Sequence, residues 1–133
     1  MKTGLPLIAI LLLSFAFHSQ AENEPTSVPD SKPALPRLVD LGAEKCIPCK
    51  MMKPILDDLT QNYADQFQVE FIDVWKNREA GATYGIRMIP TQIFFDASGK
   101  ELSRHEGFLA KMDILATWQK HGITIVEPSA QAE

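Results

Sequence analysis

Only two cysteines occur in this chain, and only Ile47 and Pro48 separate them: Cys46-Ile47-Pro48-Cys49. A disulfide stabilises a fold mainly by closing a loop in the unfolded chain, and the benefit grows with loop length. A bridge across two residues therefore staples almost nothing, so any folded domain here must rest on a hydrophobic core. The pair is left free to open and close, as a dithiol/disulfide redox centre does.

The core is written as short apolar runs alternating with helical ones, the pattern of a layered α/β domain. Arg37 to Gly42 reads as a short buried strand. From Cys46 to about Tyr63, Met52, Ile55, Leu56, Leu59 and Tyr63 recur at helical spacing, with a kink expected at Pro54. Gln68 to Val74 is a second strand, where Val69, Phe71, Ile72 and Val74 call for burial on more than one side. A right-handed crossover makes these two strands parallel, with the helix across one face. A short helical segment at Arg78 to Tyr84 comes next. The strands Thr91 to Asp96 and Lys100 to Glu106 then form a hairpin across Asp96-Ala97-Ser98-Gly99. A last helix, Ala110 to His121, turns Met112, Ile114, Leu115 and Trp118 to the sheet and stops at Gly122.

Both ends differ from this middle. Lys2, the apolar stretch Leu5 to Phe17 and the small residues of Ser19-Gln20-Ala21 spell a signal peptide (residues 1–21) cleaved after Ala21. Its thirteen apolar-region residues fall short of the roughly 20 that a spanning helix needs, so no stable membrane insertion is expected after cleavage. The expected location is a periplasm, with secretion as the alternative. Residues 22–36 carry Pro25, Pro29, Pro33 and Pro36 among polar residues, the composition of a disordered arm. Residues 37–126 form the domain, and 127–133 a frayed tail. The formal charge of −4 becomes −5 once Lys2 is lost with the leader, a solubility feature. No basic patch interleaved with aromatics and no phosphate-cradling glycine loop occurs, which argues against nucleic-acid and nucleotide partners.

A cysteine at a helix N-terminus meets unpaired backbone N–H groups and the positive end of the helix dipole, and both favour its thiolate. Cys46 is thus the expected nucleophile. Cys49 shares its face one turn further in, so it is the expected resolving cysteine. Cys46 attacks a substrate disulfide, and Cys49 then attacks Cys46 to release the reduced substrate. Pro48 fits the first helical turn, where a missing N–H costs little. Asp40 stands inside the apolar run Leu38-Val39-Asp40-Leu41. It is either a buried acid with a raised pKa, able to accept the Cys49 proton, or an exposed acid at a strand end.

These residues belong to a series that resembles the thioredoxin family from about Val39 to Gly107. Asp40 precedes Cys46 by six residues, and the Cys-x-Pro-Cys-Lys run ends at Lys50, with Pro54 in the following helix. Tyr84-Gly85-Ile86-Arg87, Ile89-Pro90-Thr91 and Gly107 follow in order. The resemblance implies a central mixed β-sheet flanked by helices. It also implies a minimal version without the usual first strand and helix, since the proline-rich arm precedes Arg37. It favours the proton-accepting role for Asp40 and a redox-tuning role for Pro48. It places Met88, Ile89, Pro90 and Thr91 in the substrate-binding loop, with the Ile89–Pro90 bond cis and the Ile89 backbone free to pair with an extended substrate.

The chain also departs from the family. Thioredoxins commonly carry tryptophans where Lys45 and Gly42 stand, and the lysine that pairs with their buried aspartate falls at Phe71. Pro48, in place of a histidine, resembles the reducing members, among them reductases serving cytochrome c maturation or disulfide repair. The expected protein is therefore an exported thiol-disulfide oxidoreductase that reduces protein disulfides, needs no cofactor and draws electrons from a membrane thiol-disulfide donor. Without a donor, the same residues serve an oxidase or isomerase.

A periplasmic copper(I) metallochaperone using Cys46 and Cys49 is the reading from another class, since Met51, Met52, Met88 and His105 add soft or imidazole ligands. Met52 reads more simply as core, and Met51 and Met88 as an apolar rim. His105 and His121 lack zinc-finger spacing, and no metal site is expected. Trp75 and Trp118 read as packing residues, with Trp75 placed to border the site.

Overall fold

Leu38, Val39, Asp40 and Leu41 are all fully buried, which a strand achieves only when both its faces are covered. In the computed structural model, which describes residues 34–128, this strand is β1 (Arg37–Gly42). It is followed by α1 (Ile47–Asn62), β2 (Gln68–Asp73), α2 (Arg78–Thr83), β3 (Thr91–Phe95), β4 (Glu101–Glu106) and α3 (Lys111–Lys120). The sheet of these strands runs β2-β1-β3-β4. β1 is parallel to β2 and antiparallel to β3, and β3 is antiparallel to β4. The fold is thus a mixed four-stranded sheet flanked by helices.

Period-two alternation along β1 divides its side chains between two cores. Leu38 joins Phe94 of β3, Met52, Leu56 and Leu59 of α1, and Ile114, Leu115 and Trp118 of α3. Val39 and Leu41 join Ile93 and Ala80 on the opposite face, against α2. The Trp118 ring meets Phe94 edge-on at 4.9 Å and Phe67 at 5.4 Å, a geometry that adds to area burial.

α1 begins with Cys46 as its N-cap and runs on through Pro54. The proline ring supplies no N–H to the carbonyl one turn earlier, but the buried stripe of Cys49, Met52, Leu56 and Leu59 holds the helix on the sheet. Residues 123–127 return along the far end of α1. Ile125 is buried, Gln66 exchanges two hydrogen bonds with the Val126 backbone, and the Tyr63 hydroxyl donates to Glu127 at 2.6 Å.

Three expectations need correction. Phe71 is 45% exposed because β2 is an edge strand, so one apolar run did not mean cover on both sides. Met112 is 70% exposed on the solvent side of α3, because a helix of this length turns only one stripe to the sheet. Trp75 is also exposed, since it follows the end of β2 and is not a packing residue. The expected lack of a first strand and helix, the signal segment, most of the arm and most of the tail lie outside the described residues. Among the described residues, no helix is long and apolar enough to cross a membrane.

Candidate active site

The strand register brings four chain segments to one edge of the sheet. Gly42, the last residue of β1, pairs with Asp73 at the end of β2, and Leu41 pairs with Thr91 at the start of β3. Thr91 in turn pairs with Glu106 at the end of β4. The Cys46 loop, the turn after β2, the loop 88–90 and the end of the hairpin therefore share this edge.

Cys46 caps α1 in an extended conformation (φ −79°, ψ 126°), and the Lys50 N–H closes the first turn onto its carbonyl at 3.0 Å. The first turn contains no acidic residue. Lys45 and Lys50 lie exposed beside it, so the electrostatics of this helix end favour an anion at Cys46. Cys46 is partly exposed, whereas Cys49 is only 4% exposed. The two are joined as a disulfide with their Cα atoms 5.2 Å apart. An incoming sulfur thus meets Cys46 first. Pro48 sits in the first turn, where its absent N–H removes no helical bond.

Two acids, one on β1 and one at the end of β2, sit in opposite environments. Asp73 is at the surface, and its carboxylate accepts the backbone N–H groups of Glu44, Trp75 and Lys76 at 3.1, 2.9 and 3.2 Å. Partial desolvation pushes its pKa up, but these donors hold it below the ordinary value. It pins the loop before Cys46 to the turn after β2, assisted by the Lys76–Glu44 ion pair at 2.6 Å. This role was not legible in the sequence, where Asp73 is merely the acid that ends a strand.

Asp40 is fully buried, and burial raises its pKa from 3.8 to about 6 against the opposing hydrogen bond from Gln92. Gln92, also fully buried, donates from Nε2 to Asp40 Oδ1 at 2.7 Å. Asp40 Oδ2 and Gln92 Oε1 have no partner among the described residues. Sequence reading missed Gln92 because a polar residue two places into a strand reads as the exposed half of an alternation.

The Ile89–Pro90 bond is cis. Its loop is tied at both ends: the Thr91 hydroxyl donates to the Met88 carbonyl at 2.8 Å, and the Gly107 N–H to the Pro90 carbonyl at 2.7 Å. Gly107 takes φ +100°, a conformation that suits glycine. Pro90 and Thr91 are buried, Ile89 is half-buried and Met88 is 50% exposed. Met51 and Ile47 of α1 are exposed as well, at 52% and 75%. Beside α1, a cleft of about 280 Å³ reaches Cys49 between Lys50, Lys53, Leu56 and Phe71. His105 lies on β4, its Nε2 3.2 Å from the Phe108 carbonyl.

A half-exposed, helix-capping cysteine bonded to a buried one, at the edge of a mixed sheet, defines a dithiol-disulfide centre on an α/β scaffold. Comparison with known proteins gives the family. The sequence model of thioredoxin matches residues 19–120. Thioredoxin 1 of Synechococcus elongatus is 35% identical over 88 residues, 66% of this chain and 81% of the relative. The thioredoxin of Acidithiobacillus ferridurans is 40% identical over 85 residues, covering 64% and 78%. A solved structure described as thioredoxin-2, a component of malaria parasite protein secretion machinery, superposes with a TM-score of 0.60 at 23% identity, covering 65% of this chain and 84% of that one. This chain belongs to the thioredoxin family and is a thiol-disulfide oxidoreductase.

Proposed function

We propose that the protein is exported and reduces disulfides in partner proteins, with Cys46 as nucleophile and Cys49 as resolving thiol. The observation that carries this reading is the unequal burial of the two bonded cysteines at the α1 N-terminus. In the reduced protein the Cys46 thiolate attacks one sulfur of a substrate disulfide. That S–S bond breaks, the other substrate sulfur leaves as a thiolate, and a mixed disulfide remains. Cys49 gives its proton to the Asp40 carboxylate and attacks Cys46 Sγ. The second substrate thiolate departs, and the Cys46–Cys49 disulfide forms. Two electrons have passed to the substrate, so a dithiol donor must reduce the pair again. In an oxidising compartment, that donor is a membrane thiol-disulfide carrier.

The loop 88–91 supports the substrate reading. Among the described residues, the backbone N–H and C=O of Ile89 have no backbone partner, and an extended segment with broad sequence tolerance can pair there. Met88, Met51 and Ile47 supply apolar rim contacts. Pro48 supports reduction over oxidation, and export rests on residues 1–21 as read above.

Cysteine variants test the chemistry. Cys46→Ser abolishes disulfide reduction, while Cys49→Ser accumulates a mixed disulfide through Cys46 that mass spectrometry detects. Turnover surviving in Cys46→Ser, or a mixed disulfide trapped through Cys49, contradicts the assignment.

A further inference from the structure

Phe71, Asp40, Gln92 and His105 occupy one row across β2, β1, β3 and β4, on the face covered by α1 and α3. On one side of Asp40 the row offers an aromatic ring, which donates nothing. On the other it offers Gln92, whose amide makes the 2.7 Å bond. The carboxyl that takes the Cys49 proton therefore has a single side-chain donor among the described residues, and that donor is neutral.

A carboxyl that cycles a proton needs a donor when ionised and an acceptor when protonated. A lysine can only donate, and would hold the carboxyl ionised. An amide has both ends, and a half turn about its terminal bond exchanges N–H for C=O. Gln92 Oε1, which has no partner among the described residues, is the acceptor that this exchange turns toward Asp40 Oδ1, the oxygen that then holds the proton. We infer that Gln92 is a positioning residue for the resolving step: its amide orients the Asp40 carboxyl and partners it in both protonation states, in place of a permanent charge. The inference rests on Asp40 being the proton acceptor.

Other titratable groups surround the row. α1 brings Cys49, Lys50, Lys53 and Asp57, the loop before it Glu44, β2 brings Asp73 at its end, and β4 brings His105 beside Gln92. α3 turns Lys111 to Asp58 and Tyr63. None of these groups contributes to the shift at Asp40, whose causes are burial and Gln92. His105→Gln serves as the control for this neighbour.

The test is a carboxyl carbon NMR titration of Asp40 in the oxidised protein, where the cysteines do not titrate, together with the pH profile of the resolving step. Gln92→Met keeps the length and removes the amide. It moves the Asp40 midpoint up by about one pH unit, because the bond donated to the ionised carboxylate is the stronger of the two, and the acid limb of the profile follows, slowing resolution about fivefold at pH 6 while formation of the mixed disulfide is unchanged. His105→Gln leaves the midpoint in place. In the wild type, the Gln92 side-chain amide signals titrate with the Asp40 midpoint and stop doing so in Asp40→Asn, a readout that needs no folded Gln92 variant. An Asp40 midpoint unmoved in folded Gln92→Met, or Gln92 signals independent of pH, overturns the inference while leaving Asp40 as acceptor. Resolution unaffected by Asp40→Asn overturns the parent reading, and the inference with it.

Discussion

Asp40 is a buried acid that the fold tolerates at a cost. Its pKa is about 6 in the folded protein against 3.8 ordinarily. Below about pH 4 it is protonated whether the chain is folded or not, and it costs nothing. As the pH rises from about 4 to 6, the unfolded chain releases the proton while the folded protein keeps it, so stability falls. Above that range the full cost remains, about 2 to 3 kcal/mol. Asp40→Asn is therefore expected to stabilise the oxidised protein by this amount at pH 8 and by almost nothing at pH 3.5, measured by urea unfolding. Equal stabilisation at both pH values would show that ionisation is not the cause. Asp40 was legible in the sequence because an acid in Leu-Val-Asp-Leu breaks its own pattern. Gln92 and Asp73 were not, since their partners lie 52 and 29 residues away and only the strand register and the Cys46 loop bring them together.

Each element was legible in type and nearly in extent, because apolar periodicity and turn residues are local signals. Which strand lies at the edge is not local, and β2 and Phe71 were misjudged for that reason. The edge position bears directly on the redox pair. A Cβ at Gly42 would stand 3.0 Å from Phe71 Cε2 and 3.3 Å from Cys49 Cβ and Sγ. The Phe71 ring thus occupies space beside the pair that a side chain on β1 would need. Gly42→Ala is expected to destabilise the protein by about 1 kcal/mol or more through overpacking, and Phe71→Ala in the same background to restore part of it. A double-mutant cycle by chemical denaturation measures the coupling. Additive effects would show that the ring yields freely and that Cys49 alone sets the limit.

In the molecule as a whole, the sheet edge gathers what the chain scatters. β1 delivers Cys46, β2 the clamp at Asp73, and β3 both the Pro90 loop and Gln92. Its place on the buried stripe of α1 holds Cys49 nearly out of solvent, while Cys46 stays in reach. Family membership accounts for the exchange chemistry, and its direction depends on whether the dithiol or the disulfide is the more stable form of the pair. The most direct measurement is the reduction potential of the Cys46/Cys49 couple, by equilibration against glutathione and dithiothreitol buffers. A reductant requires a value near the thioredoxin end of the scale, about −270 mV, with electrons supplied from outside. A value above about −200 mV would contradict this and make the protein a disulfide donor or isomerase.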